Sequence, residues 1–298
     1  MQRMRKMSIF LSLLSVLLFA TAGCARESDL QDTVKIDDPY LSENERDFTG
    51  MVVTFFALPN GESTLVRFPS GKNMLIDTGS ADDAEVLQTL LEERQVTAID
   101  YLVISNDQPE HAGGFARLAQ HTQLDTILLP KPIFSTIANA ISLPSDKKLM
   151  LLSEGDKVSF EPKITLTVLN PGEQLSLSPQ DNSLVFQLQQ DQLRFLFTSA
   201  ISEKTEEQLL RLMPGLLRAE VLKVADQGSN QASSQLFLNK VDPQVAIIET
   251  GKTPLEHNRG QEEVLERLGE SWAETYITKQ HGTITILSNG KQYRILKR

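Results

Sequence analysis

From Met51 onward the apolar positions of this chain fall into short blocks separated by turn residues. Met51-Val-Val-Thr-Phe-Phe-Ala57, Ser63-Thr-Leu-Val-Arg-Phe68 and Asn73-Met-Leu-Ile-Asp77 are rich in strand-forming residues, with Pro59-Asn60-Gly61 and Ser70-Gly71 between them. Such runs joined by tight turns predict consecutive antiparallel strands. Between Ala84 and Arg94 the spacing changes: Val86, Leu87, Leu90 and Leu91 recur at helical intervals behind Asp82 and Asp83, whose charge complements a helix N-terminus. A strand follows at Ile99–Ile104, a helical pattern begins at Phe115, Thr126–Leu129 is a short strand closed by Pro130, and Ile133–Ile141 is amphipathic at helical spacing. The second half repeats this logic, with strands at Lys157–Glu161 and Ile164–Leu169 and a hairpin of Leu184–Gln189 with Leu193–Thr198 through Gln190-Asp191. Helices are predicted at Glu203–Met213 and Glu262–Leu268, and a late strand at Gly282–Ile286. Strands interleaved with helices in this order predict an α/β fold.

The N-terminal segment follows different rules. Arg3, Arg5 and Lys6 precede an apolar run from Ile9 to Ala22, too short for a comfortable membrane span, which ends in Thr-Ala-Gly-Cys24. This reads as a secretory signal. A cleavage site abutting the only cysteine favours a lipoprotein signal with a lipidated Cys24; an uncleaved anchor or a plain secreted protein is the alternative. With Cys24 lipidated, the chain has no second thiol for a disulfide, so the core alone must stabilise it. Residues 24–47 are polar, acidic and aperiodic, and are expected to form a flexible tether; residues 48–298, unbroken by any linker-like composition, are expected to form one domain. The formal net charge of -10 and the absence of a basic stretch interleaved with aromatics argue against a nucleic-acid ligand, because such binding rests on phosphate neutralisation by Lys and Arg.

The chemistry concentrates where the strand Tyr101–Ile104 runs into Ser105-Asn-Asp-Gln-Pro-Glu-His-Ala-Gly-Gly114. A strand end, a loop with oxygen and nitrogen donors, and a helix start can gather side chains around one or two metal ions. The candidate donors are Asn106, Gln108, Glu110 and His111.

This segment resembles the signature of the metallo-β-lactamase superfamily, Thr-His-x-His/Asp-x-Asp-His-x-Gly-Gly, and most closely the branch containing the extracytoplasmic domain of the competence protein ComEC. His111, Gly113 and Gly114 match that pattern; Ser105, Asn106, Gln108 and Glu110 depart from it. Gly61-Glu62-Ser63 is similar to the Gly-Asp-Ser of ComEC-like domains, Ile76-Asp77-Thr78-Gly79 to their Ile-Asp-Thr-Gly, Asp181–Val185 to their Asn-Asn-x-Ser-Leu-Val, and Val221–Ser229 to their Val-Leu-Lys-Val-Gly-His-His-Gly-Ser. The resemblance implies a four-layer αββα sandwich with a metal site at one edge, in which Asp77 supports the loop through hydrogen bonds.

The resemblance also implies which ligands this chain lacks. Where a metal-bridging aspartate is expected after Thr198-Ser199 stands Ala200, and where two histidines are expected stand Asp226 and Gln227. One metal position is thus offered Asn106, Gln108 and Asp226, of which the amides bind divalent cations weakly. The other is offered Glu110, His111 and His257, a set that could hold a single zinc or manganese ion with an open position. Simpler readings stand beside these: His111 as a hydrogen-bonded structural residue, Glu110 as a helix N-terminal charge, and Asp226 as a turn residue contacting Ser229 or Asn230. With only four histidines in the chain, two of them outside ligand positions, a dinuclear site fed by several imidazoles cannot be assembled.

Three functions follow. The preferred expectation is a lipid-anchored, extracytoplasmic protein with a decayed metal centre and no cofactor, binding a small ligand or an envelope protein. The second is a mononuclear hydrolase of phosphodiesters or esters, with Asp226 orienting the attacking water. The third is an accessory role in DNA uptake.

Overall fold

In the computed structural model, which describes residues 45, 47–252 and 260–297, the first three runs form an antiparallel meander of β1 (Met51–Phe55), β2 (Thr64–Arg67) and β3 (Asn73–Ile76). The chain then switches to parallel addition. Helix α1 (Ala84–Glu93) returns it to β4 (Ala98–Val103), α2 (Pro109–Ala112) and α3 (Phe115–His121) to β5 (Gln123–Pro130), and α4 (Phe134–Ala140) to β6 (Lys148–Leu152).

The second sheet starts with antiparallel β7 (Lys157–Glu161), β8 (Ile164–Asn170), β9 (Val185–Gln190) and β10 (Leu193–Phe197). It continues in parallel through α5 (Glu203–Leu212), β11 (Val221–Lys223), α6 (Gln235–Val241), β12 (Val245–Ile248), α7 (Gly260–Glu270) and β13 (Glu274–Ile277). After α8 (Thr278–His281), β14 (Ile284–Ser288) and β15 (Tyr293–Lys297) rejoin the first sheet beside β1. The result is an eight-stranded sheet of order β15-β14-β1-β2-β3-β4-β5-β6 and a seven-stranded sheet of order β13-β12-β11-β10-β9-β8-β7.

Burial divides into three apolar layers. The inner one joins the facing sides of both sheets through residues such as Val53, Phe55, Phe68, Leu166, Phe186, Phe195 and Phe197. One outer layer seals α1, α3 and α4 onto the first sheet through Leu87, Leu91, Phe115, Leu118 and Ile137; the other seals α5, α6 and α7 onto the second through Leu209, Phe237, Leu238, Val264 and Leu268. This is the expected αββα order of layers. Phe186 stacks on Phe197 at 4.9 Å and Phe197 on Phe55 at 6.2 Å, so the aromatic spine ends one residue before Thr198-Ser199-Ala200.

Several elements depart from the expectation. Strands β6, β11, β12, β13 and β15 and helix α6 lie in stretches with no clear alternation; β11 and β12 are buried along their whole length, and a strand covered on both faces shows no period of two. The loop after β4 contains its own helical turn, α2, with Pro109 at its first position, where a missing N–H costs nothing. Ahead of residue 48, Glu45 is buried at 5% exposure and its carboxylate accepts from Arg94 Nε at 3.2 Å. Cys24, the leader and His257 lie outside the described residues. Among the described residues no helix is long and apolar enough to cross a membrane.

Glycine at position 114 is a packing requirement: a Cβ there would lie 2.1 Å from the Thr78 carbonyl oxygen, and neither backbone can retreat. Gly114→Ala is expected to lower stability by about 1–3 kcal/mol, as overpacking does. Gly269→Ala, in the last turn of α7 with no heavy atom within 4 Å of the added Cβ, is expected to raise it by up to about 1 kcal/mol. Urea midpoints measured side by side check both, and equal midpoints for the two variants would refute the packing argument.

Candidate functional site

The site begins with a carboxylate at a strand end. Asp77 follows β3 with φ 60°, a left-handed conformation uncommon outside glycine, asparagine and aspartate. One of its oxygens, Oδ1, accepts from the Ser105 N–H at 2.7 Å; the other, Oδ2, accepts from Ser105 Oγ at 2.7 Å and from His111 Nδ1 at 2.8 Å. One side chain thus fixes both the entry of the donor loop and the helical turn α2. Backbone bonds complete the attachment, with Thr78 N–H donating to the His111 carbonyl at 2.7 Å and Glu62 N–H to the Glu110 carbonyl at 3.0 Å. The neighbouring turn is organised in the same manner by Asp83, whose carboxylate accepts from the backbone of Asn60, Gly61 and Ser80 at 3.0, 2.7 and 2.9 Å.

Behind this loop lies a cluster of buried charges that the motifs alone do not disclose. Lys223, the last residue of β11, forms a close ion pair with Glu62, with side-chain exposures of 5% and 2%. Glu62 also accepts from the Gln227 N–H at 3.1 Å, and its Oε2 lies 3.5 Å from His111 Nδ1. Burial works against the charged form of His111, but the Asp77 and Glu62 carboxylates outweigh it and raise its pKa above the ordinary value. Glu249, following β12, accepts from Thr64 Oγ1 at 3.0 Å, while its Oε1 is buried without a partner. Burial drives its pKa up to about 8; the Lys223 charge opposes this and the Glu62 charge adds to it, so the carboxyl favours its neutral form at pH 7. Glu62, Thr64, Asp77, Ser105, Ser199, Lys223 and Glu249 border an internal cavity of about 10 Å³, the size of one water molecule.

The expected donor positions divide into two groups. Asn106 is 1% exposed and fully engaged: its Nδ2 donates to Ser183 Oγ at 3.1 Å and Ser199 Oγ at 3.0 Å, and its Oδ1 accepts from the Gln108 N–H at 2.8 Å. Ser199, at φ 48°, donates its hydroxyl to Ser105 Oγ at 2.7 Å, and Ala200 presents only a buried methyl group. This half of the site is a network of hydroxyls and an amide, and its donor set does not fit a divalent cation.

In the other half, Gln108, Glu110, His111, Asp226, Gln227, Ser229 and Lys252 line a polar cavity of about 260 Å³. Asp226 and Gln227 both take left-handed backbone, φ 47° and 55°, in the turn after β11. The Gln227 amide is tied down, donating to the Asn60 carbonyl at 3.0 Å and accepting from Thr250 Oγ1 at 3.4 Å. Asp226 makes its turn contact with Ser229 through its backbone carbonyl, at 2.9 Å, rather than through its carboxylate. Glu110, His111 and Asp226 therefore share one cavity, yet among the described residues no three His, Cys, Asp or Glu side chains are arranged to hold a metal ion. Gly113 and Gly114 sit against Ala81 and Thr78 where a side chain would collide. His281 is partly buried, its Nδ1 accepting from the Ile277 N–H at 3.0 Å.

Sequence reasoning missed Lys223 as the partner of Glu62, and Glu249 beside them. The signal available was an apolar strand carrying a single lysine, Val221-Leu-Lys-Val224, since a lysine there is buried only when paired.

Comparison with known proteins gives one family and several relatives. Residues 58–248 match the model of the metallo-beta-lactamase superfamily. ComE operon protein 3 of Bacillus subtilis (strain 168) is 25% identical over 259 residues, covering 78% of this chain and 32% of the relative. Competence protein ComA of Neisseria gonorrhoeae is 28% identical over 200 residues, covering 67% of this chain and 27% of the relative. This chain therefore spans about a third of the length of the curated relatives it matches. Among solved structures, the metallo-beta-lactamase fold protein YhfI from Bacillus subtilis superposes with a TM-score of 0.52 at 15% identity, covering 78% of this chain and 98% of that one, which speaks to the fold alone.

The raised pKa of Glu249 sets a pH dependence. Its value of about 8 exceeds the ordinary 4.5, so the folded state holds the proton more tightly than the unfolded chain. Stability from this group is complete below pH 4.5 and is lost as pH rises through 8. Glu249→Gln is expected to have a higher urea midpoint than the wild type at pH 8, and the advantage should shrink toward pH 5. A pH-independent difference would contradict the assignment. Lys223→Met, which strands Glu62 as an unpaired buried charge, is expected to cost about 3–5 kcal/mol at pH 7.

Proposed function

This chain belongs to the metallo-β-lactamase superfamily, and on that premise we propose that it is a non-catalytic binding or accessory protein of the cell envelope, anchored by lipid at Cys24, whose metal centre has decayed. The observation that carries this reading is the state of Asn106, at the position of the signature's first histidine. Its amide is closed into hydrogen bonds with Ser183, Ser199 and Gln108, beside the methyl group of Ala200. Those groups are satisfied without a cation, and no carboxylate stands where two metals would share one.

The names of the relatives, ComE operon protein 3 and competence protein ComA, support an accessory place in DNA uptake. The net charge of -10 favours a role beside the DNA over one in contact with it.

A second reading, a mononuclear hydrolase, draws on His111. Its Nδ1 is held by Asp77, which leaves Nε2 as the nitrogen open to a ligand in the cavity that Glu110 and Asp226 also line. In that reading His257 would supply the third donor.

Metal analysis of the full-length chain, purified without chelators or a histidine tag, decides between the two. The expected result is no stoichiometric metal in the wild type or in a His111→Ala, His257→Ala double variant. About one zinc or manganese ion per chain, lost in the double variant, would sink the non-catalytic reading. The anchor has its own test: Cys24→Ser should move the chain out of the membrane fraction, and unchanged fractionation would remove the lipid from the proposal.

A further inference from the structure

The polar cavity holds more unmet chemistry than a relic needs. Among the described residues, no hydrogen bond or ion pair engages the carboxylates of Glu110 or Asp226 or the ammonium of Lys252, although all three line the same space of about 260 Å³. The ring of His111, only 2% exposed and fixed through Nδ1 to Asp77, lines it too, and its Nε2 has no partner. A nitrogen otherwise buried and open only to the cavity is an observation independent of the acidic pair. Ser229 Oγ accepts from the Gln231 N–H at 3.3 Å and keeps its own proton to donate. Gln227, with both amide ends committed, acts as a rigid wall.

Each of these groups selects. Two free carboxylates call for a cationic donor, and an ammonium offers several such bonds at once. Lys252 and the hydroxyl of Ser229 call for an anionic acceptor. A ligand of one sign would leave half of them unanswered. An apolar ligand would desolvate them all, because every described lining side chain is polar. A space of about 260 Å³ has room for a small molecule.

Resting on the non-catalytic reading of the cleft, we propose that this cavity binds a small zwitterion, of amino-acid to short-peptide size, with its ammonium between Glu110 and Asp226 and its carboxylate at Lys252 and Ser229. The residues responsible include those by which the chain departs from the family signature. Glu110 is longer than the expected aspartate, and Asp226 replaces a histidine.

The test is isothermal titration calorimetry of the full-length chain with alanine, alanylalanine and trialanine, followed for any binder by its N-acetylated and C-amidated forms. The expected result is binding of at least one free zwitterion, with a loss of tenfold or more on blocking either end. The double variant Glu110→Gln, Asp226→Asn should stop distinguishing the acetylated from the free amine, and Lys252→Met the amidated from the free carboxylate; circular dichroism of each variant confirms its fold. Failure of all three zwitterions to bind, or equal binding of the blocked forms, overturns the proposal. Metal content of the same preparation separates the failures: a metal-free chain that binds none of the probes sinks the zwitterion and leaves the non-catalytic reading standing, whereas a chain that binds them only when metal-loaded overturns both.

Discussion

The carboxylate of Asp77 is the constraint on which the site depends. It is a buried acceptor with three donors, and a buried carboxylate is tolerable only when so satisfied. Because the donors come from Ser105 and His111, satisfying this one group fixes the start of the donor loop and the turn that ends it. It also orients the imidazole. With Nδ1 committed inward, only Nε2 can face the cavity, so the chemistry available at His111 follows from a hydrogen bond behind it.

That arrangement connects the sequence to the fold by short steps. The meander β1–β3 must end where Asp77 can turn with positive φ, and β4, parallel to β3 with Val103 opposite Ile76, must end where Ser105 meets it. The glycines finish the fit, since Gly61 and Gly114 let backbones approach within distances that a Cβ would prevent. The second sheet reaches the same place from the other side. Phe197 stacks into the inner core while the next residues turn, so Ser199 arrives at Asn106 and Lys223 at Glu62.

How legible this was depends on how local each feature is. The antiparallel strands, with alternation and turn residues, could be read from residues 51–77 and 157–198 to within a residue or two, as could the amphipathic helices packed on only one side. The parallel strands β11 and β12 could not, because burial on both faces erases the period that marks a strand. Among site residues, Asp77 and the loop Asn106–His111 announced themselves by motif. The partners of Glu62 and Glu249 did not: Glu62 and Lys223 are 161 positions apart, Thr64 and Glu249 are 185 apart, and pairing across the sandwich leaves no local pattern. Asp83 stands at the helix start as its position suggested, and it also has a role the sequence did not disclose. Its carboxylate gathers three backbone N–H groups into the turn beside the site.

The charges of the buried cluster sum in a way that bears on the proposed loss of metal. Glu62 is paired with the ammonium of Lys223, and Asp77 is held by its three donors, one of them His111, whose pKa the two carboxylates raise. Glu249, the third carboxyl, is driven toward its neutral form by burial, which keeps it from adding a third negative charge. A buried cluster whose carboxylates already have partners offers a divalent cation little to compensate. Placing one there would require Glu249 to ionise or Lys223 to withdraw, each at the desolvation cost that the present pairing avoids. The open cavity on the far side of His111 is a different electrostatic case, since the carboxylates of Glu110 and Asp226 and the ammonium of Lys252 line one space without pairing with one another. The protein thus joins an interior whose charged groups are paired, suited to holding the loop in place, to a cleft whose charged groups of both signs are unpaired, suited to a charged ligand, with the two nitrogens of one histidine ring at the boundary.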